Sequence, residues 1–192
     1  MDFFKILNRH SSSDTSRSSI CGINFENLAD GDIRLTATDG NSLLSIRMDG
    51  GFFFESFSRE FGFKFDDNIK QAILYTDKKQ RQSINKSNIV ETEDSIYPKY
   101  RQLIPTVSLI PLHDADFHVA FSPKALKICS DTAKDLGIGK QPVPYWCVNQ
   151  VGPTLFNTEL FGDGEKFKSC ILLLMPIRQS KSTATRPTIE SL

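Results

Sequence analysis

The sequence predicts an α+β protein, on three observations. Apolar and polar residues alternate over strand-length runs such as "IRLTATD" and "SLLSIRM", which are split by the turn dipeptide Asp39-Gly40. In "SPKALKICSDTAKDLG" the pattern changes, and Ala125, Leu126, Cys129, Ala133 and Leu136 recur at helical spacing. Helical segments are each followed by several strands rather than one, so the chain reads as repeated helix-plus-antiparallel-strand modules without a strong sequence period.

The elements follow in order. Asp2 caps a short amphipathic helix in "MDFFKILNRH", with Phe3, Phe4, Ile6 and Leu7 inward and Lys5 and Arg9 four apart on the other side. The brief Ser-rich stretch "SSSDTSRSS" reads as a loop, and three strands follow in "ICGINFENL", "IRLTATD" and "SLLSIRM". A second unit begins at "FFFESFSREFGFKF"; Asp66 and Asp67 are expected to cap a helix that turns Ile69, Ala72 and Ile73 inward and Lys70 and Lys78 outward. The polar "TDKKQRQSINKSN" is expected to form a loop with short strand pieces. The third unit has a strand "FHVAF", a helix with Ser122 as cap and Pro123 at its first position, ending before Gly137, and strands in "PYWCVN", "TLFNTEL" and "CILLLMPI". Lys124, Lys127 and Lys134 take the polar side of that helix, and residues 179–192 read as a mobile tail.

Composition narrows the function class. With 192 residues and 39% hydrophobic content the chain is long enough for one large or two small cores, and no apolar run is long enough to span a bilayer. The opening residues lack a basic leader and a cleavage site, so secretion is not expected. Cys21, Cys129, Cys147 and Cys170 are dispersed without metal or redox spacing and read as buried thiols of a reducing, cytoplasmic compartment. Formal charge is zero, so a nucleic-acid partner must be met by a local basic surface. Phosphate-loop and nucleophile-elbow motifs are absent, and "GIGK" at 137–140 follows a helix rather than opening one. His113, Asp114, Asp116 and His118 lie close together, but not at the spacing of a helix or hairpin metal site. An enzyme, a cofactor and a metal are therefore not expected.

Three separated stretches, "TATDGNSLL", "YPKYRQLIP" and "LLLMPIR", occur in an order that resembles the bacterial DNA polymerase III beta subunit, the DNA sliding clamp. There the counterparts read approximately Ala-Thr-Asp-Gly-His-Arg-Leu, Phe-Pro-Asp-Tyr-Arg-Arg and Met-Pro-Met-Arg, and "SSICGINFENL" matches the strand before the first. The resemblance covers the family's middle domain, here residues 1–105, and the latter half of its last domain, here 106–178, and leaves out the first domain. It implies a hydrophobic groove that captures a short peptide from polymerases and other replication proteins. Ile20, Thr38, Gly40, Leu43, Pro98, Leu103, Leu173 and Met175 would line it, with Asn41 and Ser42 on its rim. The family's His-Arg is Asn41-Ser42 here and its second arginine after tyrosine is Gln102, so two rim charges are gone.

The resemblance further implies sequence-independent contact with double-stranded DNA by helix faces, here Lys5, Arg9, Lys70, Lys78, Lys124, Lys127 and Lys134. It implies a separate clamp loader as the user of ATP, and a ring; with fewer than three modules per chain, a homotrimer is the natural closure. The expected role is a processivity factor that tethers a polymerase to DNA. The alternative is a peptide-binding module or decoy that no longer encircles DNA.

Overall fold

The computed structural model describes residues 2–92, 97–104, 110–111, 119–137, 145–147, 152–156 and 167–177. Helix α1, Phe3–Asn8, starts where the Asp2 carboxylate accepts from the Lys5 N–H at 2.9 Å, and it buries Phe3, Phe4, Ile6 and Leu7. A kinked 3-10 segment, Thr15–Cys21, takes the place of the expected loop. Strands β1 (Ile23–Asn27), β2 (Asp32–Thr38) and β3 (Ser42–Asp49) then form an antiparallel meander.

The helix expected after Asp66 and Asp67 is not there. Helix α2 lies earlier, at Gly50–Phe61, where Asp49 accepts from the Phe52 N–H at 2.9 Å and Gly62, at φ +76°, ends it. Phe53, Phe57 and Phe61 recur every four residues, which outweighs the two opening glycines. Gly50 has a packing reason, since a Cβ there would stand 2.3 Å from the Gly31 carbonyl oxygen. Ala72 and Ile73 belong to strand β4, Gln71–Leu74, paired with β1. Their environments show a period of two: Ala72 and Leu74 enter one core cluster and Ile73 the other. The polar stretch holds helix α3, Lys78–Ser83, capped by Asp77, and not a loop with strand pieces.

Strand β5 is Val90–Glu91, a 3-10 turn spans Tyr100–Leu103, and β6 is Ile110–Pro111. Helix α4, Pro123–Asp135, has Ser122 accepting from the Ala125 N–H at 3.0 Å and Pro123 at its start, as expected. Its inward face differs in part, because Thr132 is fully buried while Leu126 is 42% exposed. Strands β7 (Tyr145–Cys147), β8 (Thr154–Phe156) and β9 (Phe167–Leu174) complete the described elements. Of the expected strand "FHVAF", the described residues 119–121 have no strand, and the rest lies outside the described residues, as do His113–His118 and the tail 179–192.

All described strands join one antiparallel sheet in the order β5-β4-β1-β2-β3-β9-β8-β7-β6. The architecture is α+β. Its seam is the β3–β9 ladder, which pairs Ser42 with Leu174, Leu43 with Leu173 and onward to Arg47 with Ser169. Period two sends Leu44, Ile46, Met48, Cys170, Leu172 and Leu174 into the core shared with α1, α2 and α4. Leu43 and Leu173 go to the other face, with Ile20, Ile73, Tyr75, Tyr97 and Tyr100. On the helix side a phenylalanine cluster locks α1 to α2, with Phe4 edge-on to Phe53, Phe57 and Phe61. Asp32, buried at the far end of the seam, binds Arg47 at 2.7 Å and also Lys168. Lys168 foremost, then Arg47, holds the Asp32 carboxyl below its ordinary range against the opposing effect of burial.

Candidate peptide groove at the sheet seam

The turn between β2 and β3 is built by one carboxylate. Asp39 Oδ1 accepts from the N–H groups of Asn41 (2.8 Å) and Ser42 (2.7 Å) and from the Ser42 hydroxyl (3.2 Å). Thr38 Oγ1 accepts from the Gly40 N–H at 3.1 Å and donates to the Ser42 carbonyl at 2.7 Å. Gly40 sits at φ +88°, where a β-carbon is disfavoured, and a Cβ there would lie 3.2 Å from the Arg17 guanidinium. Past the last seam pair, the Met175 N–H donates to the Asn41 carbonyl at 2.8 Å, which ties the end of β9 to this turn.

The segment around Tyr100 lies over the face of the sheet that carries Leu43 and Leu173. Tyr100 and Arg101 both donate to Glu26 of β1, Arg101 at 2.9 Å. The rings of Tyr97 and Tyr100 meet edge-on, 6.3 Å apart, within the cluster of Ile20, Leu43 and Leu173. Burial pushes the Tyr97 hydroxyl pKa up, a shift that the Thr38 backbone opposes.

The ten residues expected at the groove divide by depth. Ile20, Thr38, Leu43 and Leu173 are buried, Leu43 and Leu173 with 2% of their surface exposed. Ser42, expected on the rim, is also buried, because its hydroxyl turns inward to His10. Gly40, Asn41 and Pro98 are exposed, Leu103 is 45% exposed and Met175 is partly open. In the expected groove the buried members, which also serve as core, would be the floor and the open ones the lip. Ile104, Leu155 and Ile171 pack against the same cluster without being fully covered, and sequence reasoning did not single them out. It missed Arg17 as well, whose position over Gly40 follows from the kink at Arg17 (φ −117°, ψ 53°).

Sequence reasoning also missed His10. The ring is fully buried between two hydroxyls, Ser42 Oγ at 3.0 Å from Nδ1 and Thr132 Oγ1 at 2.9 Å from Nε2. Burial lowers its pKa to about 4, a nearby Asp39 pulls the other way and Arg9 adds to the lowering, so the ring is neutral at pH 7. His10, Ser42 and Asp39 do not make a hydrolytic triad. The hydroxyl stands between the imidazole and the carboxylate and is sealed from any substrate. The four thiols are likewise buried, and burial raises each pKa, that of Cys170 to about 12. Among the described residues no three His, Cys, Asp or Glu side chains gather as metal ligands.

The seven expected DNA contacts, assigned to three helix faces, are spread over α1 and its end, the approach to β4, α3 and α4. Lys124, Lys127 and Lys134 are exposed along α4, with Lys127 3.2 Å from Asp131. Arg9 is bound to Asp135 of α4. Lys70 precedes β4 and is on no helix. Lys5, Arg9 and Lys78 border a cleft of about 420 Å³ between α1, α2 and α3, where Asp2, Glu60 and Asp77 offset their charge.

No protein-family model and no curated protein matches the sequence. Solved structures do. The Bacillus subtilis DNA polymerase sliding clamp aligns with a TM-score of 0.55 at 14% identity, over 93% of this chain and 63% of the clamp. The chain has the bacterial sliding-clamp fold. The Helicobacter pylori beta clamp in complex with carprofen aligns with a TM-score of 0.57 at 14% identity, over 93% of this chain and 64% of that one. The Helicobacter pylori beta clamp bound to a DNA ligase peptide aligns with a TM-score of 0.53 at 12% identity, over 92% and 62%. This version of the clamp fold thus spans less than two thirds of each of those clamps, whose covered shares are 63%, 64% and 62%.

Proposed function

We propose that the protein is a clamp-like processivity factor. It tethers a DNA polymerase or another replication protein to double-stranded DNA through an apolar groove for a short peptide, and does no chemistry itself. The observation that carries this reading is the meeting of three distant stretches at the end of the seam. Met175 bonds to Asn41 at 2.8 Å, Leu43 faces Leu173, and Tyr97 and Tyr100 pack on the same cluster. A peptide laid along Met175, Leu103 and Pro98 buries apolar surface there, and Met adapts its shape to different occupants. Arg17 stands beside Gly40, near where the related clamps carry rim cations, and favours a peptide with an acidic residue at that point.

The test uses the lip, because truncating the buried Leu43 would cost roughly 2–5 kcal/mol of stability and confuse the result. The double variant Met175→Ala, Leu103→Ala is expected to weaken the DNA ligase peptide bound by the Helicobacter pylori beta clamp by at least ~1 kcal/mol while melting at the temperature of the parent. Equal anisotropy titrations for parent and variant would remove the groove from this site.

In the same reading the boundary between the two clamp-like units falls near residue 105, the chain works in the cytoplasm, and a homotrimer or another ring, opened by a loader, closes around DNA. Lys124, Lys127 and Lys134 are the contacts it relies on most. A second reading, a module that binds the peptide without encircling DNA, is favoured by the carboxylates that offset Lys5, Arg9 and Lys78. Retention on closed circular DNA with loss from linear DNA separates the two.

A further inference from the structure

We propose that His10 is a positioning residue through which helix α4 sets the conformation of the Asp39–Ser42 turn at the end of the sheet. The consequence for a peptide rests on the groove reading above; the coupling does not.

His10 lies just beyond α1, and its ring is inserted between β3 and α4, with Ser42 on one side and Thr132 on the other. Partner chemistry assigns the tautomer. The Ser42 hydroxyl donates to Asp39, so the ring must donate to Ser42 through Nδ1–H, and Nε2 is left to accept from the Thr132 hydroxyl. Donation therefore runs in one direction, from Thr132 to His10 to Ser42 to the Asp39 carboxylate, and each bond polarises the next.

Asp39 also holds the Asn41 and Ser42 N–H groups, and the Asn41 carbonyl holds Met175. A change at Thr132 accordingly reaches the lip. Without the Thr132 hydroxyl, Nε2 is a buried acceptor with nothing to accept from. Moving the proton to Nε2 makes Nδ1 the acceptor, and the Ser42 hydroxyl must then turn from Asp39 to the ring. The charged groups around this chain are Asp39 on the turn, Arg9 on the His10 side and Asp135 on α4, the last two bound to each other.

The experiment needs no ligand. Hydrogen exchange of the Asn41, Ser42 and Met175 amides is measured by NMR in the full chain, in Thr132→Val and in the control Lys127→Ala, together with the imidazole nitrogen shifts of His10. The expected result in Thr132→Val is exchange about tenfold faster at those three amides, the scale of one buried hydrogen bond, with β1 amides and Lys127→Ala unchanged. The parent should show the Nδ1–H tautomer. An Nε2–H parent tautomer, unaltered turn amides, or equal acceleration throughout the sheet would each overturn the coupling. Loss of peptide binding by the parent would refute the groove reading and leave this one standing.

Discussion

Acidification tests the buried imidazole directly. The folded chain keeps His10 neutral, with its pKa lowered by burial from 6.5 to about 4, whereas the unfolded chain takes up a proton near 6.5. The stability that follows is fully present above pH 6.5 and is lost as pH falls toward 4. At about 1.4 kcal/mol per pH unit of difference, roughly 2 kcal/mol is gone by pH 5 and roughly 3 kcal/mol by pH 4. Carboxylates begin to titrate in the same interval, so the quantity to measure is a difference. Urea unfolding followed by circular dichroism, for the parent and for His10→Gln at steps from pH 7 to pH 4.5, isolates it. The variant starts less stable, having lost the fit between Ser42 and Thr132, and the gap should narrow steadily on acidification. A gap that stays constant from pH 7 to pH 4.5 would show that the ring is hydrated or paired in a way that its two hydroxyl contacts do not describe.

Two further outcomes follow from burial. Phe57→Ala, which removes a ring packed on Phe4, Phe53, Phe61 and Phe65, should cost about 3–5 kcal/mol in chemical unfolding. Cys129 and Cys170, both with thiol pKa values raised to about 12, should resist an aromatic disulfide reagent at pH 8 until denaturant is added, and fast native labelling would contradict their burial.

How far the sequence could be read depended on which residues had a local signature. Ser122 and Pro123 mark the start of α4 because capping acts within a single turn, and the Asp39-Gly40 turn is marked in the same way. Asp66 misled for the same reason. It does accept from the Asn68 N–H, at 3.0 Å, but in a turn that leads to a strand, and the alternation of Ala72, Ile73 and Leu74 was the stronger signal. Thr132 could not be read as buried. It lies on the stripe of Ala125 and Cys129, yet its hydroxyl is satisfied by His10, far away in the chain. The Asp39-Gly40 turn and the last strand were legible as motifs, while which of their residues are buried and which open was not, because that depends on where the ladder stops.

That stopping point also explains why recognition and stability can be separated in this fold. Along β3 and β9 alternate side chains serve opposite faces, so Leu43 and Leu173 pin the seam at the same time as they would floor the proposed groove. A change at either is felt first as a loss of packing. The ladder ends at Ser42 and Leu174, and the next residue, Met175, keeps one backbone bond to Asn41 and is only partly buried. Residues just past a ladder's end can vary without breaking strand pairs, whereas those one step earlier cannot. On the groove reading proposed above, Gly40, Asn41 and Met175 are therefore where peptide preference would be free to change, and the Asp39 carboxylate, held from behind by His10, is what keeps that turn in one shape.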